Sequence, residues 1–419
     1  MIVVRGAKRV AVVVAVASVL LALPLVPAPA QGVPTGETWG AELAVADGDD
    51  VDVVAGEDAI ALADTGPRAT TSGPAPAEGT LLLAPRRLGA VADRVSAAVT
   101  ADAPGSSQVL VAVRGLRDDG SWSEWFPTGR EGPAQLPAPT LQVQVRVTLV
   151  AGDGGQGPSL RRLWLTADAT PTPRRLARTT PAAPFGARVF ATRIGLVGNT
   201  TANGHRIVDD DRFVALPSRR GLAPEGTGDY TVRVCADNGR CTWAPAWDVG
   251  PWNVRDDHWN AERESFRDLP RGLPQAQAAR DGYADGRDGL GRRVANPAGI
   301  DLADGTFRRD LRLEDNAWVD VAYLWTGTGP TGTAGEDVLT VRAAPRPDAP
   351  DVGTVAPRSR LPVECATTGP ATQALARSEW SSSAALRLPA APDGGRWVRL
   401  AADRYVPAEA LEVPDVPAC

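Results

Sequence analysis

At 419 residues and 43.8 kDa, the chain is too long for one hydrophobic core, so several domains are expected. Its 43 Gly and 37 Pro make it turn-rich, yet 43% hydrophobic content is enough to bury real cores, which excludes collagen-like and wholly disordered classes. The net charge of −6 becomes −9 when the three cations of the first 30 residues are removed, which argues against duplex nucleic acid and anionic membrane surfaces as main partners.

Residues 1–30 read as a secretory signal peptide. Arg5, Lys8 and Arg9 form a positive head, Val10 to Val26 an apolar run, and Ala28-Pro29-Ala30 offers the small residues a signal peptidase reads, with cleavage after Ala30. The competing reading is a retained anchor. The run is barely long enough to span, however, and Pro24, Pro27 and Pro29 crowd its end. The mature chain is expected to be secreted, with no stable transmembrane anchor after cleavage. Four cysteines, an even number, fit an oxidising compartment.

From residue 37 to 167 short runs alternate apolar and polar residues, among them Gln108 to Arg114, Gln142 to Leu149 and Leu160 to Thr166. This pattern predicts an antiparallel β-sandwich. Within it, Trp122 and Trp125 follow an Asp118-Asp119-Gly120 turn and fit either sugar stacking or core packing. Residues 168–185, rich in Thr, Pro and Arg, read as a linker. A second β domain is expected over 186–327, with a loop insertion at 253–298, and a third module over 336–413. Weak helical signals occur only near Leu269 to Arg280 and Thr372 to Arg377. The predicted class is all-β and multidomain.

Cys235 and Cys241 flank Ala236-Asp237-Asn238-Gly239-Arg240. With Asp237-Asn238-Gly239 as a three-residue hairpin loop and Gly239 left-handed, the two cysteines face each other at a separation that suits a disulfide. Cys365 and the terminal Cys419 remain to staple the C-terminus. No Cys/His spacing suggests zinc, and His205 and His258 are the only histidines. Asp281, Asp285 and Asp288 lie in Asp-Gly turns without the alternate spacing of a calcium loop. No metal and no cofactor are expected.

Three stretches of the middle domain belong together: Thr200-Thr201-Ala202-Asn203-Gly204-His205, Trp247-Asp248-Val249-Gly250-Pro251-Trp252 and Gly299-Ile300-Asp301-Leu302-Ala303. In order and type they resemble the double-psi β-barrel of the rare lipoprotein A and expansin group, with its TA(N/S)G turn, D-x-G-P-(F/W) turn and I-D-L-(S/A) segment. Ala191-Thr192-Arg193-Ile194-Gly195 is similar to the opening strand, and Tyr230 to Val234 to the strand after a Gly-Thr turn, here Gly226-Thr227. Two departures stand out. The glycan-cleaving members place a histidine where this chain reads Ala215-Leu216-Pro217-Ser218, and the insertion after Trp252 exceeds the usual connection.

The resemblance implies wall-polysaccharide chemistry. Cleaving a glycosidic bond requires a carboxyl held protonated near neutral pH, and apolar surroundings raise a carboxyl pKa. Asp248, between Trp247 and Trp252, is the candidate acid, with Asp301 as partner carboxylate. An Asp before a Gly-Pro turn also commonly just accepts backbone amides. Trp247, Trp252, Asn203 and His205 are the candidate substrate-binding residues. Trp243, Trp247, Trp252, Trp259, Trp318 and Trp325 make half of the chain's 12 tryptophans, and at least half of these six are expected in the core.

The last module, with Val338-Leu339-Thr340-Val341-Arg342-Ala343-Ala344-Pro345, Asp351-Val352-Gly353-Thr354-Val355, Arg396-Trp397-Val398-Arg399-Leu400 and Arg404-Tyr405-Val406, resembles a bacterial SH3 module. Leu339, Val341, Val363, Trp397, Val398 and Val406 are its expected core. Together these features predict an exported, cell-wall-associated protein that binds peptidoglycan or a related wall polysaccharide. The alternatives are a lytic-transglycosylase-like enzyme using Asp248 as general acid, and a secreted protein-interaction scaffold.

Overall fold

The computed structural model describes residues 36–43, 47–170, 182–371 and 394–419. The expected signal peptide, most of the expected linker and the helical signal at Thr372 to Arg377 lie outside the described residues. The fold is nearly all β, with 45% strand and 7% helix. Among the described residues no helix is long and apolar enough to cross a membrane.

The first nine strands are β1 (Glu37–Gly40), β2 (Val53–Ala55), β3 (Ile60–Leu62), β4 (Glu78–Leu82), β5 (Arg86–Asp102), β6 (Gln108–Gly115), β7 (Phe126–Thr128), β8 (Ala134–Val150) and β9 (Ser159–Asp168). They form one hydrogen-bonded network in the order β2-β3-β9-β5-β8-β6-β7, with β1 on β9 and β4 on β8. The 17-residue strands β5 and β8 each serve two neighbourhoods. β5 pairs β8 through its first half and β9 through its second, with register shifts around Ala92. Irregularities of this kind let a strand bend, and Val111, Val113, Val145, Val147, Leu163 and Leu165 consequently share one core.

Next come β10 (Phe185–Arg193), β11 (Val214–Leu216), β12 (Thr231–Ala236), β13 (Cys241–Val249), β14 (Ala298–Leu302) and β15 (Ala317–Tyr323). Their order β11-β14-β10-β15-β12-β13 closes through a β11–β13 pairing into a six-strand barrel. Two of its pairings are parallel, β10–β14 and β11–β13. The interior is filled by alternate residues: Val189 and Ala191, Val214 and Leu216, Ala244 and Ala246, Ile300 and Leu302.

Each parallel pairing carries a bulge. Val214 pairs Ala246 but Ala215 pairs Asp248, which leaves Trp247 as the extra residue. Phe190 pairs Ala298 but Ala191 pairs Ile300, which leaves Gly299. A Cβ at Gly299 would stand 2.5 Å from Pro274 Cγ, so that bulge requires glycine. An extra residue reverses which face the following side chains take. Without the bulge at Trp247, Asp248 would follow Ala244 and Ala246 into the barrel.

Between β13 and β14 the chain is irregular apart from α1 (Gln275–Arg280) and a short 3-10 turn. Buried polar contacts hold it: Asp256 pairs with Arg263 and accepts from the Gln275 amide at 2.7 Å, and Asn253 Nδ2 donates to Gln275 Oε1 at 2.8 Å. Burial pushes Asp256 up to about 6 despite Arg263.

The remaining strands are β16 (Thr331–Ala334), β17 (Leu339–Arg342), β18 (Asp351–Val355), β19 (Arg360–Pro362), β20 (Cys365–Gly369), β21 (Gly395–Ala401), β22 (Arg404–Pro407) and β23 (Leu411–Glu412). β18 pairs β13 in parallel, so the barrel sheet runs on through β18-β17-β22-β21-β20. Val341, Val355, Leu361, Val363, Val398 and Val406 form a core shared with Trp243 of the barrel. Two disulfides, Cys235–Cys241 and Cys365–Cys419, have Cα separations of 4.1 and 5.0 Å. The first closes a hairpin in which Gly239 is left-handed, with φ 85°.

Candidate functional site

The strand registers place four residues in one row on the outside of the barrel. Thr192 on β10 pairs Asp301 on β14; Asp301 pairs Ala215 on β11; Ala215 pairs Asp248 on β13. Directly paired residues present their side chains on the same face. Their strand neighbours Ala191, Ile300, Leu302, Val214 and Leu216 belong to the barrel core. The row therefore faces outward, and with only a methyl group at Ala215 nothing bulky separates the two acids.

Asp248 is tightly engaged. Its Oδ1 accepts from the amides of Ala202 at 2.8 Å and Val249 at 2.9 Å, and from Arg68 Nη2 at 3.1 Å. Burial raises its pKa, while Arg68 and the two amides oppose the rise. Asp301 is only 1% exposed. It accepts from Thr192 Oγ1 and, at 2.5 Å, from Thr71 Oγ1. Burial pushes Asp301 up to about 7, with a smaller contribution from the Asp248 charge. Hydroxyl groups offer less charge stabilisation than a guanidinium, so Asp301 is the better proton holder of the two.

The other sequence candidates divide differently. Trp252 is in the left-handed region, φ 59°, unusual for a bulky residue. Its amide donates to Ser72 Oγ at 2.9 Å and its indole to Asn296 Oδ1 at 3.0 Å. At 6% exposure it offers no open stacking face. Trp247, half-buried, donates its indole to the Thr227 carbonyl and packs on Phe213. Asn203 is buried and locks its own turn, accepting from Thr201 Oγ1 and donating to the Ala223 carbonyl. His205 is engaged elsewhere: its Nε2 is 2.8 Å from Asp211 Oδ2 and its ring lies 5.0 Å from the Trp247 ring. These four hold the scaffold around the acids.

Most of the other tryptophans are buried as well. Trp243, Trp259 and Trp325 are at most 8% exposed, while Trp318 is 37% exposed. Trp259 and Trp325 both donate their indole N–H to Glu124 Oε1 at 2.6 Å, so the first domain satisfies them. Trp125 is sandwiched between the guanidinium groups of Arg114 and Arg146, each 4.5 Å from its ring, which assigns it to packing. His258 is fully buried beside Tyr323, and burial pushes it down to about 3, a neutral core imidazole. Asp288 accepts from the Leu290 and Arg292 amides as a turn residue. The closest carboxylate group among the described residues, Asp47, Asp49 and Asp50, is partly spent on backbone amides.

Sequence reasoning missed Thr192, Arg68, Thr71 and Ser72. Thr192 had a signal in the alternation of β10, where it falls opposite the inward Ala191. The other three come from a loop about 180 to 230 residues away. That loop and the turn Val249 to Val254 flank a shallow crevice lined also by Thr70 and Arg292.

Residues 185–322 match a domain of unknown function, DUF8814. The match spans β10 to β15 almost end to end and includes the whole acid row. No curated protein and no solved structure matches the chain.

Proposed function

We propose that this is an exported cell-envelope protein whose barrel engages peptidoglycan or a related wall polysaccharide at the face bearing Thr192, Asp301, Ala215 and Asp248. The observation that carries this reading is the convergence of three separate motifs. The Ala202 amide of the first binds Asp248 of the second, and Asp248 shares a row with Asp301 of the third. A closed six-strand barrel with two parallel pairings supports the double-psi resemblance on which the polysaccharide assignment rests. Adjacent carboxyl and hydroxyl groups suit the hydroxyls of sugars. The C-terminal strands, continuous with β13, supply the second wall contact expected of an SH3-like module.

A second reading, glycan-strand cleavage, is favoured by one observation: the two carboxyls share a face, and Asp301 has a pKa near 7. In that reading Asp301 donates the proton and Asp248 is the charged partner, the reverse of the order expected from sequence. Incubation with purified peptidoglycan, assayed for sedimentation and for soluble fragments, tests both. Sedimentation weakened by Asp301→Asn and Asp248→Asn supports wall binding at this face. Fragments lost in the same variants establish cleavage. Neither sedimentation nor fragments removes both readings.

A further inference from the structure

We infer that the loop Gly66–Ala75 of the first domain is an intramolecular occupant of the acid row, a strap that must lift before the row can take a ligand. This rests on the reading of that row as a binding face. The loop is a small self-folded hairpin. Arg68 and Ala75 exchange backbone hydrogen bonds at 2.9 and 3.0 Å, and Thr70 Oγ1 closes the tip on the Gly73 carbonyl at 2.6 Å. From this frame three consecutive contacts reach the barrel: Arg68 to Asp248, Thr71 to Asp301, and Ser72 to the Trp252 amide.

Two features distinguish this contact from ordinary domain packing. First, it is held by polar groups and no residue of 66–75 belongs to a hydrophobic core cluster, whereas the main seam between the domains buries Trp125 and Glu124 against the barrel. Polar contacts exchange for water on separation with little net loss. Second, each group that the loop releases keeps other partners, although Asp248 loses its ion-pair partner Arg68. Arg68 keeps Glu78, 3.9 Å away on its own domain. Asp248 keeps the Ala202 and Val249 amides, and Asp301 keeps Thr192. These remaining partners, and the water admitted as the loop lifts, reduce the usual penalty for breaking a buried ion pair. The loop places a guanidinium and two hydroxyls where a ligand would sit. The row it covers is matched to a hydroxyl-rich group with a positive charge, such as a hexosamine unit bearing a free amine.

The test compares the intact protein with a double variant, Arg68→Ala with Thr71→Val, and with Thr71→Val alone as the milder change. Each is treated with a water-soluble carbodiimide and an amine, and labelling at Asp248 and Asp301 is mapped by mass spectrometry. In parallel, retention on purified peptidoglycan and on its de-N-acetylated form is measured. The strap predicts weak labelling of the intact protein, at least fivefold more in the double variant, an intermediate value for Thr71→Val, and stronger retention on the de-N-acetylated wall. Labelling that rises without any wall retention keeps the strap and removes the polysaccharide reading. Labelling equal in all three proteins, with unchanged circular dichroism, overturns the strap. A double variant that does not fold leaves Thr71→Val as the deciding comparison.

Discussion

Asp248 and Asp301 are the register partners of one residue, Ala215, on opposite sides of β11. Two carboxyls that lie 53 positions apart in sequence thus meet across a single methyl group, on a face reached only because β13 and β14 each carry one extra residue. The acid pair is a product of the bulges as much as of the aspartates.

The first prediction follows from that methyl group. Ala215 is 1% exposed, and a larger side chain there has to enter the space between the acids. Ala215→Val is expected to cost about 1–3 kcal/mol of stability, as overpacking of a filled site does. It should also abolish wall retention. Ala215→Ser, one atom larger, should lose much less of either. Urea denaturation and sedimentation of the two variants check this; equal behaviour of Val and Ser would show that the row is not closely packed.

A second prediction concerns pH. Burial raises Asp301 from 3.8 to about 7, so the folded protein binds this proton more tightly than the unfolded chain does. The stability linked to that proton is complete below pH 3.8 and is lost as pH rises to 7. Between pH 5 and 8 the loss is on the order of 2–3 kcal/mol. Asp301→Asn, which cannot ionise, should show a correspondingly flatter dependence over the same interval. Urea midpoints at the two pH values measure it, and parallel slopes for the two proteins would refute the assignment.

What was legible in the sequence depended on distance along the chain. The Cys235–Cys241 hairpin could be read because seven residues contain the turn, its left-handed glycine and both sulfurs. The acids could be nominated because their flanking turns are local. That Trp259 and Trp325 are core residues could not be read, because their shared acceptor, Glu124, lies 135 and 201 positions away. Arg68 and Thr71 were invisible for the same reason: a polar loop with ordinary turn composition says nothing about the surface it covers. The faces taken by Asp248 and Asp301 depend on bulges, which alternation patterns do not reveal.

The two disulfides should differ in weight. Cys365–Cys419 closes a loop of 54 residues and Cys235–Cys241 one of 6. Chain-entropy reasoning gives about 4 kcal/mol for the longer closure and about 2 kcal/mol for the shorter. The hairpin cysteines are in addition already held opposite each other by the β12–β13 ladder. Replacing both residues of each pair by Ser should therefore lower the thermal midpoint further for 365/419 than for 235/241. Calorimetry of the two double variants tests the order, and a reversed order would count against the entropic account.

Glu124 gives the last prediction. Besides the two indole N–H groups, its carboxylate accepts from Asn260 Nδ2 at 2.8 Å and lies 3.2 Å from Arg220 Nε. One side chain of the first domain thus accepts three hydrogen bonds from groups around the barrel and pairs with the charge of Arg220. Glu124→Ala would leave two buried indole donors unpaired and remove one of the two acids beside Arg220, the other being Asp257. Loss of one partner from such a buried network costs about 3–5 kcal/mol, whereas an exposed pair such as Arg161–Asp102 is screened by water and contributes little. Glu124→Gln, which keeps one acceptor oxygen, should fall between them. If Glu124→Ala instead unfolds at the same urea concentration as the parent, the seam between the domains is held by its other contacts, with Trp125 and its flanking arginines at their centre.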